Sequence, residues 1–254
     1  MLKQAVLAFL PELTAIESKT RRILTKNAGF AFIEENYPLD RENRLWLPAC
    51  CLLSAKLVRD TNIKVVQLAG ILHLLNYASR LHWMLPGSDG ASGEKQKTKL
   101  TILAGDLLYS QVYYDICRYG LKQYLSPLTS LIKSIHEEMV LMDYSKQQHL
   151  PVRRHEIRIY ALISGSACFL GAHAAAGSTY ITEKLREIGY HLGILRGVSE
   201  TGEPVTEYLT NWQQCWDHLQ LLPASPERDI FSGMLLYLGE KWGLQQPSLL
   251  KGCM

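Results

Sequence analysis

The aspartates of this chain are spaced too widely to bind a metal ion together. A site for a hard cation such as Mg²⁺ needs several carboxylate oxygens, which a helix supplies from residues four positions apart. No two aspartates here are closer than nine positions. They are Asp40, Asp60, Asp89, Asp106, Asp115, Asp143, Asp217 and Asp229. The chain therefore contains no D-D-x-x-D pattern, and we predict that it holds no catalytic residue, no metal and no cofactor of its own.

The thiols and imidazoles form no other metal-binding or catalytic pattern. None of the six cysteines belongs to a C-x-x-C pair, and none of the eight histidines to an H-x-x-x-H pair. Most of the cysteines lie in apolar, helical surroundings, which is typical of reduced, buried thiols. The sequence therefore predicts a cytoplasmic protein without a disulfide framework or a zinc site.

Three groups of residues have both a functional and a structural interpretation, and the structural one is favoured for each group. Glu137 and Glu138 are neighbours in sequence, so they point to different faces of a helix and at most one faces inward. Asp106 is predicted in the first turn of a helix, where a carboxylate accepts from free N–H groups. His82 and Trp83 could line a cleft, but a partly buried pair with satisfied polar atoms is favoured.

Composition and charge favour an ordinary globular protein. The chain has 254 residues, 47% of them hydrophobic and 20% charged, and its formal net charge is +3. The densest basic stretch contains Arg153, Arg154 and Arg158, and Glu156 interrupts it. A nucleic-acid-binding protein would carry a stronger basic stripe, so we expect no nucleic-acid partner.

A long uncharged stretch runs from Ile159 to Thr182. A membrane-spanning helix needs about 20 predominantly apolar residues. This stretch is diluted by glycines, serines and a histidine, and small residues of this kind let neighbouring backbones come close. We therefore predict a helix buried at the centre of a bundle and no membrane span, while peripheral contact with a membrane stays open.

Apolar residues recur at helical spacing along the whole chain, and no stretch shows sustained period-two alternation. We predict a single all-α domain over residues 1–254. Its helices are expected at about 2–25, 41–60, 63–84, 98–122, 127–144, 152–176, 179–198, 204–221 and 226–242. The glycine- and serine-containing stretch from Leu85 to Thr98 is predicted to be a surface loop.

The most distinctive local pattern is Lys99 to Val112, K-L-T-I-L-A-G-D-L-L-Y-S-Q-V. Its L-A-G-D core, Leu103 to Asp106, resembles the L-A-G-D-x-L-L segment of trans-isoprenyl diphosphate synthases, which opens a helix at their subunit interface. Ser134 to Asp143, Arg158 to Ala172, and Leu45 to Leu57 resemble three further helices of that family in the same order. The resemblance implies an isoprenoid-synthase-like helical bundle around a central cavity.

The chain departs from that family at the positions that handle diphosphate and metal. Where the enzymes carry two Asp-rich clusters, this chain has His73 to Trp83 and Gly189 to Ser199, both without a carboxylate. The enzymes' cationic motif has become Asn43 to Pro48, and their Lys-Thr pair has become Ile159-Tyr160. The altered substrate-site positions that we single out are Arg44, Asn76, Arg80, Tyr160 and Arg196.

The combination of a kept packing pattern and lost Asp clusters resembles the small subunit (component I) of two-component heptaprenyl diphosphate synthases. The resemblance implies a non-catalytic partner subunit in menaquinone side-chain synthesis that helps to set product length. The partner would be a catalytic, D-D-x-x-D-bearing subunit that holds the magnesium, and the growing isoprenoid chain is a second candidate ligand. The predicted interface residues are Leu107, Leu108, Tyr109, Val112 and Tyr113.

Two other functions stay open at the level of sequence. One is a stand-alone enzyme that uses prenyl diphosphates without an Asp-rich site, against which the missing carboxylates count. The other is an isoprenoid-binding scaffold without a synthase partner. A monomer that exposed the predicted apolar interface would tend to associate with other molecules. The free chain is therefore expected to self-associate or to need its partner for solubility.

Overall fold

The computed structural model describes residues 9–25, 41–59, 61–83, 92–240 and 242–244; its side chains are described for 9–23, 45–59, 61–83, 96–240 and 242–244. Within these ranges the chain forms helices and no strand. The α-helices are α1 (Leu10–Thr25), α2 (Arg41–Val58), α3 (Ile63–Trp83), α4 (Ser92–Arg118), α5 (Leu125–Gln147), α6 (Arg153–Ala174), α7 (Thr179–Thr201), α8 (Leu209–Gln220) and α9 (Pro226–Glu240). Short 3₁₀ turns at Lys122–Tyr124 and Val205–Tyr208 lead into α5 and α8. The predicted all-α fold is confirmed.

The start of α4 differs from the sequence prediction. Ser92 to Thr98 is helical rather than part of a surface loop, because the polar residues of this stretch include good helix formers such as Glu94 and Lys97. Asp106 consequently lies in the middle of α4 and not in its first turn. The backbone N–H groups around it are already used within the helix, so the prediction that Asp106 caps a helix start was wrong.

Helix α6 lies at the centre of the bundle and packs against α2, α3, α5 and α7. Of the described helices it is the one that length and composition would allow to cross a membrane, and 67% of its most apolar window is buried within the fold. Helix α6 therefore occupies the central position that the uncharged stretch from Ile159 to Thr182 predicts. The apolar core around it continues from Phe9, before α1, to Leu238 in α9.

A glycine stripe brings α7 into backbone contact with α6. The glycines are spaced four residues apart on one face of α7: Gly189, Gly193 and Gly197. A Cβ atom on Gly193 would lie 2.4 Å from the carbonyl oxygen of Tyr160, and one on Gly197 would lie 2.8 Å from the Cα of Ile157. No side chain fits into such gaps, so the stripe sets how closely the two helices approach.

Helix α4 lies on the outside of the bundle and packs mainly against α3. Its buried side faces α3 and includes Leu108, Val112 and Ile116. On the other side an exposed residue recurs every three or four positions: Lys99, Leu100, Ile102, Leu103, Asp106, Leu107, Ser110, Tyr113, Tyr114, Cys117 and Arg118. We call this the outer face of α4.

Candidate functional site

The ends of α3, α6 and α7 meet at a cleft of about 230 Å³. It is lined by Arg80, Trp83, Glu156, Tyr160, Glu200 and Thr201. We call it the arginine cleft, because Arg80 lines it and the buried Arg196 is ion-paired to one of its walls. The stretch from His73 to Trp83 supplies its α3 wall, and its α7 wall, Glu200 and Thr201, directly follows the stretch from Gly189 to Ser199.

Arg196 is buried, with 2% of its surface exposed, and is held by two partners. Its Nη2 atom lies 2.8 Å from Oε1 of Glu200, one turn further along α7. Its Cζ atom lies 5.3 Å from the ring centroid of Trp46, a cation–π distance. The indole Nε1 of Trp46 donates to the Ser164 hydroxyl at 3.1 Å. A buried cation is tolerated when it is paired in this way, so the guanidinium fixes α7 to α2.

Arg80 packs against two aromatic rings on the opposite wall, and these rings also contact each other. Its Cζ atom lies 5.7 Å from the ring centroid of Tyr160 and 6.0 Å from that of Trp83. The two rings pack edge to face with their centroids 5.6 Å apart. Burial raises the pKa of the Tyr160 hydroxyl above its usual value of 10, although the Arg80 guanidinium lowers it. The phenol therefore stays protonated and acts as a hydrogen-bonding group rather than a base.

The side chains that line the arginine cleft do not form a binding site for a divalent cation. Mg²⁺ takes oxygen ligands, usually carboxylates and water. The arginine cleft has two carboxylates in its lining, Glu156 and Glu200, beside the Arg80 cation and two aromatic rings. Glu200 is already paired with Arg196, so two free carboxylates do not face one another there. Among the described side chains, no group of three or more His, Cys, Asp or Glu residues could hold a metal ion.

The structure brings together three of the five altered substrate-site positions. Arg80 and Tyr160 line the arginine cleft, and Arg196 is joined to it through Glu200. Asn76 is buried one turn before Arg80 on α3 and does not line the cleft. Arg44 belongs to the start of α2, where the side chains lie outside the described residues. Sequence reasoning missed Trp46, whose ring covers Arg196 from a different helix.

The L-A-G-D segment forms the contact between α3 and α4. The ring of His82 lies directly over Gly105, and its Nε2 is 3.3 Å from Oδ1 of Asp106. The same ring stacks on Tyr109 at a centroid distance of 5.6 Å, and the Tyr109 hydroxyl hydrogen-bonds to that of Ser79 at 2.9 Å. His82 thus faces α4, while the neighbouring Trp83 lines the cleft. In this chain the glycine and the aspartate of the motif both contact the imidazole ring of His82.

No known protein-family model and no curated protein sequence matches this chain. Solved structures do. A decaprenyl diphosphate synthase from Rhodobacter capsulatus superposes with a TM-score of 0.78 at 14% identity, over 95% of this chain and 99% of the other. A polyprenyl synthase from Caulobacter crescentus, complexed with calcium and isoprenyl diphosphate, gives 0.77 at 15% identity, over 94% and 98%. The chain has the fold of the trans-prenyl diphosphate synthases.

The same fold also occurs in the small subunit of a prenyl diphosphate synthase. The geranyl diphosphate synthase small subunit from Antirrhinum majus superposes with a TM-score of 0.71 at 15% identity, over 93% of this chain and 99% of the other. The structural neighbours of this chain therefore include both polyprenyl synthases and a small subunit of a shorter-chain synthase.

Within the prenyl synthase fold, the five predicted interface residues divide into two groups. Leu108 and Val112 are fully buried against the chain's own core, and Tyr109 is only 9% exposed. Leu107 and Tyr113 are 37% and 39% exposed and belong to the outer face of α4. The sequence prediction did not assign to the interface the two most exposed apolar residues of that face, Leu103 at 63% and Tyr114 at 58%, although Tyr114 was a candidate for a substrate wall. Their helical spacing from Leu107 was the available signal.

A second polar cluster joins α5 to α6, and it supports the structural interpretation of the glutamate pair. Glu138 is buried, accepts a hydrogen bond from Nδ1 of His155 at 2.9 Å, and forms an ion pair with Arg158, whose Nε lies 2.9 Å from Oε1. His155 Nε2 in turn lies 3.3 Å from the hydroxyl of Ser145. Glu137 points outward and pairs with Lys133 on its own helix. Only one of the two neighbours faces inward, as their adjacency predicts.

Proposed function

We propose that this chain is the non-catalytic partner subunit of a heterodimeric long-chain trans-prenyl diphosphate synthase. In its finer form the proposal assigns it to a heptaprenyl diphosphate synthase of the cytoplasm, in menaquinone side-chain synthesis. The catalytic subunit would carry the Asp-rich clusters and the magnesium. This chain would complete the assembly and help to set the length of the product.

The observation that supports the proposal most is the pair of arginines in place of Asp-rich clusters. The positions at which a prenyl synthase gathers carboxylates around a metal–diphosphate complex here hold Arg80 and Arg196, each packed on an aromatic ring. Arg196 is in addition paired with Glu200, so this cation does not need a metal or a substrate for its stability. The arginine cleft is thus compatible with a subunit that has the prenyl synthase fold but does not catalyse prenyl transfer.

The contribution to product length would be physical. Each added isoprene unit needs apolar volume, and bulky side chains in the wall or floor of a cavity stop the growth of the chain. A partner subunit that packs beside the catalytic cavity can change that volume without touching the reacting atoms. The apolar outer face of α4 offers the surface for such packing, in keeping with the predicted interface.

The test compares the purified chain, a purified D-D-x-x-D-bearing synthase subunit from the same source, and their mixture. Each is incubated with Mg²⁺, an allylic prenyl diphosphate and isopentenyl diphosphate. We expect no prenyl transfer by this chain alone, and a longer product or a faster reaction in the mixture than with the catalytic subunit alone. Turnover by this chain alone, after trace host synthase is removed, would show that it is a stand-alone enzyme.

A third possible result is that the two chains neither bind each other nor change the reaction. If the mixture behaves as the catalytic subunit alone and the two chains do not co-purify, the partner role is wrong. Binding of a prenyl diphosphate by this chain alone would then support the isoprenoid-binding scaffold instead. The three functions are therefore separated by one set of incubations and one binding measurement.

A further inference from the structure

The outer face of α4 is apolar along its length and basic at both ends. Its apolar side chains are Leu100, Ile102, Leu103, Leu107, Tyr113 and Tyr114. At the amino-terminal end Lys97 and Lys99 are exposed. At the carboxyl-terminal end Arg118 is exposed and borders a pocket of about 450 Å³. The face thus has two cationic ends and a mainly apolar middle, in which Asp106 and Ser110 are the exposed polar residues.

The pocket at the carboxyl-terminal end joins α4 to α1. Its charged lining consists of Lys19 and Arg22 from α1 and Asp115 and Arg118 from α4. Asp115 is fully buried and forms an ion pair with Lys19. The pocket therefore holds three cations and a single carboxylate, and that carboxylate is already paired. The apolar side chains Leu107 and Tyr114 also line it, so it is continuous with the outer face.

This pattern is unfavourable for pairing with a second copy of the chain. In an antiparallel pairing of two outer faces, Lys99 of one copy meets Arg118 of the other. In a parallel pairing, each end meets itself. Both arrangements bring like charges together, which suppresses association. The exposed carboxylate of the outer face, Asp106, lies near the middle and cannot neutralise either end.

We infer that the outer face of α4, with the pocket at its end, selects a different chain whose docking helix is apolar in the middle and acidic at both ends. Lys99 and Arg118 are 19 positions apart, which on a helix is about 28 Å at 1.5 Å per residue. The partner's carboxylates are therefore expected at about that separation, one of them entering the pocket beside Arg22 and Arg118. The inference rests on the proposed function for the identity of the partner, but its charge argument concerns this chain alone.

The first experiment needs only this chain. Sedimentation velocity at low salt compares wild type, the double variant Arg22→Glu with Arg118→Glu, an equimolar mixture of the two, and the control Arg154→Glu. Arg154 is an exposed arginine of α6 that is remote in sequence from α1 and α4. With its carboxyl-terminal end reversed, the face complements itself at both ends in the antiparallel arrangement. Paired with the wild type, it is complementary at one end only, and like charges still meet at the other end.

We expect the double variant alone to dimerise at least tenfold more tightly than the wild type and the control, and the mixture to fall between the two. The wild type should self-associate more strongly in 1 M NaCl, because salt screens the repulsion between exposed charges. A wild-type dimer as tight as that of the variant or the mixture would overturn the inference. So would the absence of dimers in all four samples.

The second experiment uses the purified D-D-x-x-D-bearing synthase subunit as probe. The double variant should bind it at least tenfold more weakly than the wild type, and the Arg154→Glu control should bind it equally well. Equal binding by wild type and double variant would overturn the acidic-partner inference while the partner role survives. No binding by the wild type, together with the expected sedimentation result, would overturn the partner role and leave the charge pattern supported.

Discussion

The imidazole ring of His82 occupies the space that a side chain on Gly105 would need. A Cβ atom on Gly105 would lie 2.4 Å from Nε2 of His82 and 2.6 Å from its Cδ2. The glycine on α4 and the histidine on α3 are therefore complementary in shape, and the neighbouring Asp106 adds a polar contact to the same nitrogen.

Replacing Gly105 with alanine should destabilise the protein through this contact. Overpacking of a fitted site costs about 1–3 kcal/mol, and the ring of His82 can relieve part of it by rotating. In a His82→Ala background the same replacement should instead be neutral to slightly stabilising, since the obstructing ring is gone and alanine has the higher helix propensity. Urea unfolding of the two single variants and the double variant measures this, with a coupling energy of about 1 kcal/mol or more expected. Additive effects would contradict the contact.

Replacing Gly193 with alanine should be more harmful than replacing Gly105. The new Cβ would lie 2.4 Å from a backbone oxygen and 2.7 Å from a backbone Cα of α6, and backbone cannot rotate away. We expect a loss of about 3 kcal/mol in the free energy of unfolding, at the upper end of the range for overpacking.

Gly70→Ala is the matched control for that prediction. Gly70 lies in α3, and a Cβ there would meet its nearest neighbour, Cγ1 of Ile16, at an ordinary 3.8 Å. Alanine has the higher helix propensity, so this variant should be more stable by about 0.5–1 kcal/mol. Equal losses for both variants in thermal and urea unfolding would show that the glycine stripe does not set the α6–α7 distance.

The stability of the protein should fall as the pH drops below neutral. Burial lowers the pKa of His82 below its usual 6.5, and the nearby His136 lowers it further while Asp106 raises it. Burial likewise lowers the pKa of His191, with His218 acting in the same direction.

Both imidazoles therefore bind protons more readily in the unfolded chain, so protonation favours unfolding. Their contribution is complete above the unfolded value of about 6.5 and is lost as the pH falls toward the lower folded values. Urea midpoints measured between pH 7.5 and 5.5 should decrease, and His82→Gln should reduce the slope. A slope unchanged in that variant would mean that His82 is not the group responsible.

Charged substitutions on α4 should separate its outer face from its buried side. Tyr113→Glu should leave the helical circular dichroism intact and weaken assembly with a synthase subunit by about 2 kcal/mol if Tyr113 is a hot spot. Tyr109→Glu should instead unfold or strongly destabilise the chain, since Tyr109 is buried and burial raises the pKa of its hydroxyl to about 12. Co-purification and circular dichroism of both variants measure this. Normal assembly by Tyr113→Glu would exclude that residue from the interface.

The sequence predicts the helices well where apolar residues repeat at helical spacing, as in α3 and α5. It fails at the start of α4, because the residues from Glu94 to Lys99 are polar and give no apolar period, although their intrinsic helix propensity is good. The cleft was only partly predictable. Arg80 and Arg196 stand out as cations where carboxylates are expected, but their aromatic partners Trp46 and Tyr160 come from helices distant in sequence, which a single chain's spacing does not indicate.

The contact between α6 and α7 also makes carboxylates hard to introduce on this face of α7. An aspartate introduced at Gly193 or Gly197 would bring its Cβ into the backbone of α6 before its carboxylate could reach any ligand. A substitution of this kind would give a chain that folds poorly, so selection for folding opposes it. The glycine stripe thus restricts which residues this face of α7 can acquire in evolution, whatever function the cleft beside it has.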